Sequence, residues 1–173
     1  MLTKVSTLGA TAAGAILVLA PVGAALAATI NGTSGDDGLR GTRNADVIHG
    51  RAGNDFLSGR GGNDGLYAGP GADSLFGGSA PDILRGNAGR DFLSGGGGRD
   101  ALLGGSGPDQ LAGGPKHDLM YGQRGNDLFF LTYTGGDGRD YVSCGSGFDT
   151  VYDSDARDEI SGNCEVVTAS PLD

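Results

Sequence analysis

Single apolar residues recur along this chain with a period of nine: Leu39, Ile48, Leu57, Leu66, Leu75, Leu84, Leu93, Leu102, Leu111, Met120 and Phe129. Two positions before each stands an aspartate: Asp37, Asp46, Asp55, Asp64, Asp73, Asp82, Asp91, Asp100, Asp109, Asp118 and Asp127. Five positions before each aspartate stands a glycine, with Ala68 the exception. A helix repeats its buried face every 3.6 residues and a strand every two. A period of nine is therefore the repeat of a larger unit, and such a repeat decides the fold before any local propensity does. The apolar residue sits at the centre of a triplet that predicts a short strand, its side chain pointing to one side. The six residues before the triplet predict a turn, because glycine reaches positive φ without a Cβ clash. Two units give turn, strand, turn, strand: one flat coil, in which a residue 18 positions on lies one coil above.

The unit can be written G-G-x-G-x-D-x-U-x, with U apolar. Residues 95–103 (GGGGRDALL) and 104–112 (GGSGPDQLA) fit throughout, and residues 50–58 (GRAGNDFLS) depart only at the second glycine. This pattern resembles the RTX, or hemolysin-type, calcium-binding nonapeptide repeat. The resemblance runs without a gap from Gly32 to Phe130 and resumes at 135–143 (GGDGRDYVS) and 144–152 (CGSGFDTVY). It implies an all-β fold, a right-handed parallel β-roll, with several Ca2+ ions held between stacked turns on each edge. It also implies the metal ligands: the eleven aspartates above, together with Asp140 and Asp149. A flexible Gly-Asn-Asp linker would share the composition, but it would not hold an apolar residue at one phase through eleven successive units.

The residue types suit the ion. Calcium takes roughly 6–8 oxygen ligands from carboxylates and carbonyls. Glycine turns can aim carbonyls inward, and the aspartate that ends each turn brings the charge. Stacked coils set like carboxylates about 5 Å apart, where each pair repels by about 1 kcal/mol in water and by more at lower dielectric. One apolar residue per nine is a thin core against the backbone entropy of so much glycine. Metal binding is then expected to be part of folding. A metal-free solenoid is the rival reading, and the recurring acidic position argues against it. Asn44, Ala80 and Lys116 replace the fourth-position glycine and Ala68 the first, and their turns are the doubtful sites, the one at Pro115-Lys116-His117 most of all.

Residues 1–27 read as a secretory signal peptide: Lys4 at the start, an apolar stretch from Leu8 to Leu19, and Ala25-Leu26-Ala27 as the cleavage pattern. Residues 28–130 are the gapless repeats, and 131–173 hold a short insertion, further repeats and a C-terminal cap. No segment after the leader is long and apolar enough to span a bilayer. The chain carries 12 Lys plus Arg against 21 Asp plus Glu, net −9. Without Lys4 the balance is 11 against 21, net −10. That argues against nucleic acid, whose binders carry basic patches, and suits a secreted, extracellular protein that concentrates divalent cations. Cys144 and Cys164 are the only cysteines, and a secreted context favours a disulfide between them. One coil above Cys144 is position 162, so Cys164 is expected two residues beyond it. Such a bridge would staple the end of a solenoid, which needs a cap.

The insertion Leu131-Thr132-Tyr133-Thr134 breaks the phase and is expected to lengthen a strand. Residues 153–161 keep Asp158 and Ile160 in phase but lose the glycines. An EF-hand at Asp153 fails, because its glycine position holds Asp158 and its twelfth position Cys164. No catalytic domain is expected: His49 and His117 are the only histidines, and neither belongs to a zinc or nucleophile motif. The reading is a secreted calcium-binding repeat protein, not an enzyme, with a structural or cell-surface role. Its protein partner, at the cell surface or secreted, is unidentified. The alternatives are a non-catalytic auxiliary or folding partner of a separate secreted enzyme or toxin and, ranked lower, a ligand- or ice-binding solenoid.

Overall fold

The computed structural model describes residues 27–131, 138–153, 157–161 and 164–167. The expected signal peptide therefore lies outside the described residues except for Ala27, as do Thr132, Tyr133 and Thr134 of the insertion. The described residues form sixteen strands and no helix. The odd-numbered strands are β1 (Thr29–Asn31), β3 (Val47–His49), β5 (Gly65–Pro70), β7 (Ile83–Ala88), β9 (Ala101–Ser106), β11 (Leu119–Arg124), β13 (Tyr141–Ser146) and β15 (Glu159–Ser161). The even-numbered strands are β2 (Gly38–Arg40), β4 (Phe56–Gly61), β6 (Ser74–Ser79), β8 (Phe92–Gly97), β10 (Gln110–Ala112), β12 (Leu128–Leu131), β14 (Asp149–Asp153) and β16 (Cys164–Val167). Each set makes one eight-stranded parallel sheet in sequential order, so the chain alternates between two sheets at every turn. This is the all-β parallel β-roll, with two strands per coil.

Register follows the nonapeptide. Ile48 pairs with Leu66, Leu84 with Leu102, and Leu57 with Leu75, each 18 residues apart. The eleven phase-locked apolar side chains are between 0 and 1 % exposed, and they meet between the sheets as one continuous core. Ile30, Leu131, Val142 and Val151 extend that core to both ends. The outer faces carry shorter contacts between coils. Phe76 lies 5.3 Å from Phe56 and 5.6 Å from Phe92, ring centre to ring centre. Cross-strand aromatic pairs of this kind contribute about 0.2–1 kcal/mol each.

The insertion does not end the stacking. Met120 pairs with Val142 and Phe129 with Val151, a separation of 22, so the extra four residues are absorbed in one coil and the phase is restored. The last coil is instead short: Asp149 pairs with Cys164, 15 residues on. Among the described residues no helix is long and apolar enough to cross a membrane.

Candidate metal centre: two columns of stacked carboxylates

Each turn joins one sheet to the other, so successive aspartates fall on opposite edges of the roll. One edge carries Asp37, Asp55, Asp73, Asp91, Asp109, Asp127 and Asp149. The other carries Asp46, Asp64, Asp82, Asp100, Asp118, Asp140 and Asp158. Within a column each backbone amide donates to Oδ1 of the aspartate one coil on. Asp55 N–H reaches Asp73 at 2.7 Å, Asp91 reaches Asp109 at 2.9 Å, and Asp82 reaches Asp100 at 2.8 Å. The ladder crosses the insertion without a break: Asp118 donates to Asp140 and Asp127 to Asp149, each at 2.8 Å. It then continues to Asp158, whose Oδ1 accepts from Asp140 N–H at 2.8 Å. Asp158 was not among the expected site residues. Its signal was the 18-residue phase from Asp140, masked by the loss of the glycines around it.

The second carboxylate oxygen behaves differently. Oδ2 of Asp55, Asp64, Asp73, Asp82, Asp91, Asp100, Asp109, Asp118, Asp127 and Asp149 is buried with no hydrogen-bond partner. A buried acceptor left unmatched costs about 1–3 kcal/mol, more when charged. In the turns that open on glycine, Oδ2 points back toward that glycine. It lies 2.5 Å from where a Cβ on Gly95 or Gly77 would stand, and the carbonyl oxygen of the coil above lies 2.7 and 2.6 Å from the same points. At Gly77 and Gly95 a carboxylate and a carbonyl oxygen converge where a Cβ would stand, whereas Ala68 and Cys144 carry a Cβ at the same position before Asp73 and Asp149. Among the described residues no three His, Cys, Asp or Glu side chains gather into a metal cluster. The carbonyl oxygens beside the carboxylates are of the donor type that suits a hard cation such as Ca2+.

Turn conformation supports the same arrangement. The second residue of every described turn from Arg51 onward has positive φ, between 75 and 125°, whether it is glycine, Arg51, Arg60, Asn87 or Gln123. At the fourth position Ala80 (φ 80°) and Lys116 (φ 92°) adopt the left-handed conformation of the glycines they replace. Those two turns, doubtful from sequence, reach the left-handed region at that position, although Gly98, stacked between them, does not. Asn44 does not take positive φ, and its turn is built differently.

The charge on the columns is held under strain. Burial is the largest cause, and it pushes the carboxyls of Asp55, Asp64, Asp73, Asp91 and Asp127 up to about 6 from 3.8. Asp82 and Asp109 are pushed to about 7 and Asp118 to about 8, while Asp100 also moves up. The amide of the coil below opposes this in every case. Neighbouring carboxylates of the column reinforce it for most, as Asp64 and Asp100 do for Asp82. A cation on the column would reverse the balance, since an opposite charge favours the ionised form.

The histidines have structural places. The His49 ring stacks on Tyr67 at 5.0 Å, and His117 Nδ1 sits 2.9 Å from the Arg139 carbonyl and 3.0 Å from its N–H. Cys144 and Cys164 are disulfide-bonded, with Cα atoms 5.6 Å apart. The bridge formed as expected, but not by stacking one coil above the other. Cys144 lies in β13 and Cys164 opens β16, in the opposite sheet, because the final coil is three residues shorter than the 18-residue rule.

A parallel β-roll edged by stacked carboxylates and inward-turned carbonyls defines a calcium-binding repeat protein. The family model of the RTX calcium-binding nonapeptide repeat matches the chain in four copies, at residues 31–66, 67–102, 103–131 and 134–163. The chain belongs to that family. No curated protein matches it.

Proposed function

We propose that this chain is a secreted, non-catalytic calcium-binding module that folds as it takes up several Ca2+ ions between stacked turns and serves a structural or cell-surface role. The observation that carries the reading is the set of ten buried Oδ2 atoms without a partner, nine of them recurring every nine residues from Asp55 to Asp127 and the tenth at Asp149, beyond the insertion. Their aspartates are the proposed ligands, with Asp140 continuing its column. Each carboxylate gives Oδ1 to the neighbouring amide and keeps Oδ2 for the ion. Secretion is supported by the apolar N-terminal stretch with its A-x-A pattern and by the disulfide, a bond that persists in oxidising compartments. Non-catalysis is supported by the histidines, which are spent on packing and on backbone contacts.

The test is far-ultraviolet circular dichroism of the chain in EGTA and then in millimolar calcium. Strand signal should appear on calcium addition and vanish on chelation. Magnesium should replace calcium poorly, because it demands near-octahedral geometry. A strand-rich spectrum indifferent to EGTA would remove metal-dependent folding from the reading.

A further inference from the structure

The two N-terminal turns depart at one atom from the nine that follow, Asp55 to Asp127. Asp37 and Asp46 are absent from the set of unpartnered Oδ2 oxygens because threonine serves both. Thr33 donates to Asp37 Oδ2 through its amide (2.6 Å) and its hydroxyl (3.0 Å). Thr42 does the same to Asp46 Oδ2, at 2.5 and 2.9 Å. Both threonines occupy the second turn position, where every later described turn has positive φ. A β-branched residue is a steric outlier at positive φ, and neither threonine adopts it. The backbone consequence is visible one coil on. Arg51, directly above Thr33 in the repeat, sends its amide across to the Ala68 carbonyl of the next coil at 2.7 Å. Thr33 and Thr42 turn theirs inward to their own aspartates.

We infer that Thr33 and Thr42 are internal substitutes for the metal: they fill the acceptor that calcium takes in later turns, so the first coil is a metal-free cap and the ion ladder starts at Asp55 and Asp64. The inference rests on the calcium reading above and limits it. Asp37 and Asp46 then support the next coil through their backbones, Asp37 N–H binding Asp55 Oδ1 at 2.9 Å and Asp46 N–H binding Asp64 Oδ1 at 2.7 Å, while Asp46 Oδ1 accepts from Ala28 N–H at 2.7 Å. The logic is that of any solenoid end. An interior site is shared between a turn and its neighbours, and a terminal turn lacks one neighbour, so terminal repeats are atypical. A hydroxyl and an amide satisfy the carboxylate there without a second turn.

Calcium bound per full-length chain, measured by equilibrium dialysis, decides the matter, with the strand signal at saturating calcium as a check on folding. Asp37→Asn and Asp46→Asn should bind as much calcium as the parent, because the amides that support the next coil are retained. Asp91→Asn should bind less. The double variant Thr33→Gly, Thr42→Gly should bind more, since it frees both Oδ2 atoms and lets the second position take positive φ. A loss in Asp37→Asn equal to that in Asp91→Asn would overturn the inference, as would unchanged binding in the double threonine variant. No calcium bound by the parent chain would instead overturn the reading on which the inference stands.

Discussion

The interior coils and the C-terminal coil close the same roll by different chemistry. From Arg51 to Asp127 each turn opens on glycine or Ala68, passes through positive φ at its second residue, and ends in a carboxylate whose Oδ2 has no partner. At the far end Cys144 stands where the interior turns have their first glycine, and Cys164 takes the register place above Asp149, where the column would call for another aspartate. The carboxylate column on that edge thus runs into a covalent bond between the sheets. The two closures answer different needs. A carboxylate ladder can be repeated indefinitely, because every aspartate supports the next through its amide, but its charge requires a cation. A disulfide needs neither a cation nor a further coil above it, so it suits the place where repetition stops.

The strongest response should be to pH in the metal-free chain, and it separates ionic closure from covalent closure. The interior carboxyls are raised above their unfolded value of 3.8, to between about 6 and about 8. A group raised in the folded state stabilises folding fully below its unfolded value, and that contribution is lost as pH rises through its folded value. Metal-stripped chain should therefore gain strand signal as pH falls from 8 toward 4, when protons replace the cation. Calcium-loaded chain should show the reverse trend in calcium affinity, binding less as pH falls. Metal-free chain equally unfolded at both pH values would show that carboxylate charge is not what holds the interior open.

A smaller effect is expected from the core. Leu102→Ala removes a fully buried side chain between two stacked neighbours, Leu84 and Met120. It should lower stability in saturating calcium by about 2–5 kcal/mol, the range for buried leucine truncation. Ile160, only partly buried at the last coil, should cost less when changed to alanine. Urea midpoints of the two variants provide the comparison, and an equal loss at both sites would mean that the end coil is packed as an interior one.

The smallest global effect is expected on reduction. The Cys144–Cys164 bridge closes a 20-residue separation, worth about 3 kcal/mol in the loop-entropy model. Each coil contacts only its neighbours, so the loss should stay local. Hydrogen exchange should speed up in β13 to β16 and remain slow in β5 to β9, while the calcium needed for folding rises modestly. Reduction that unfolds the entire roll would make the C-terminal coil the nucleus of the structure rather than its cap.

Much of this protein was legible in the chain, and the reason is the period. A nine-residue unit that alternates between two sheets places residue i under i+18, so the core from Leu39 to Phe129, the parallel pairing and the two carboxylate columns all followed from counting. Counting works only while the unit is intact. It set a four-residue insertion at Leu131 to Thr134 with the repeats resuming after it, and Asp140 and Asp149 do rejoin their columns 22 residues on. It placed Cys164 two residues past the position above Cys144, whereas a 15-residue final coil carried it to the opposite sheet. It counted Asp37 and Asp46 with the other aspartates, whereas Thr33 and Thr42 turn their donors onto them. It left out Asp158, which accepts the last rung described. The periodic part could be read from the chain alone, because there the position of every residue is set by its distance along it. Where the second carboxylate oxygen points, and what meets it, came from the folded coils. That depends on turn conformation and on the coil above, and both change where the glycines give way to threonine, cysteine or an extra loop.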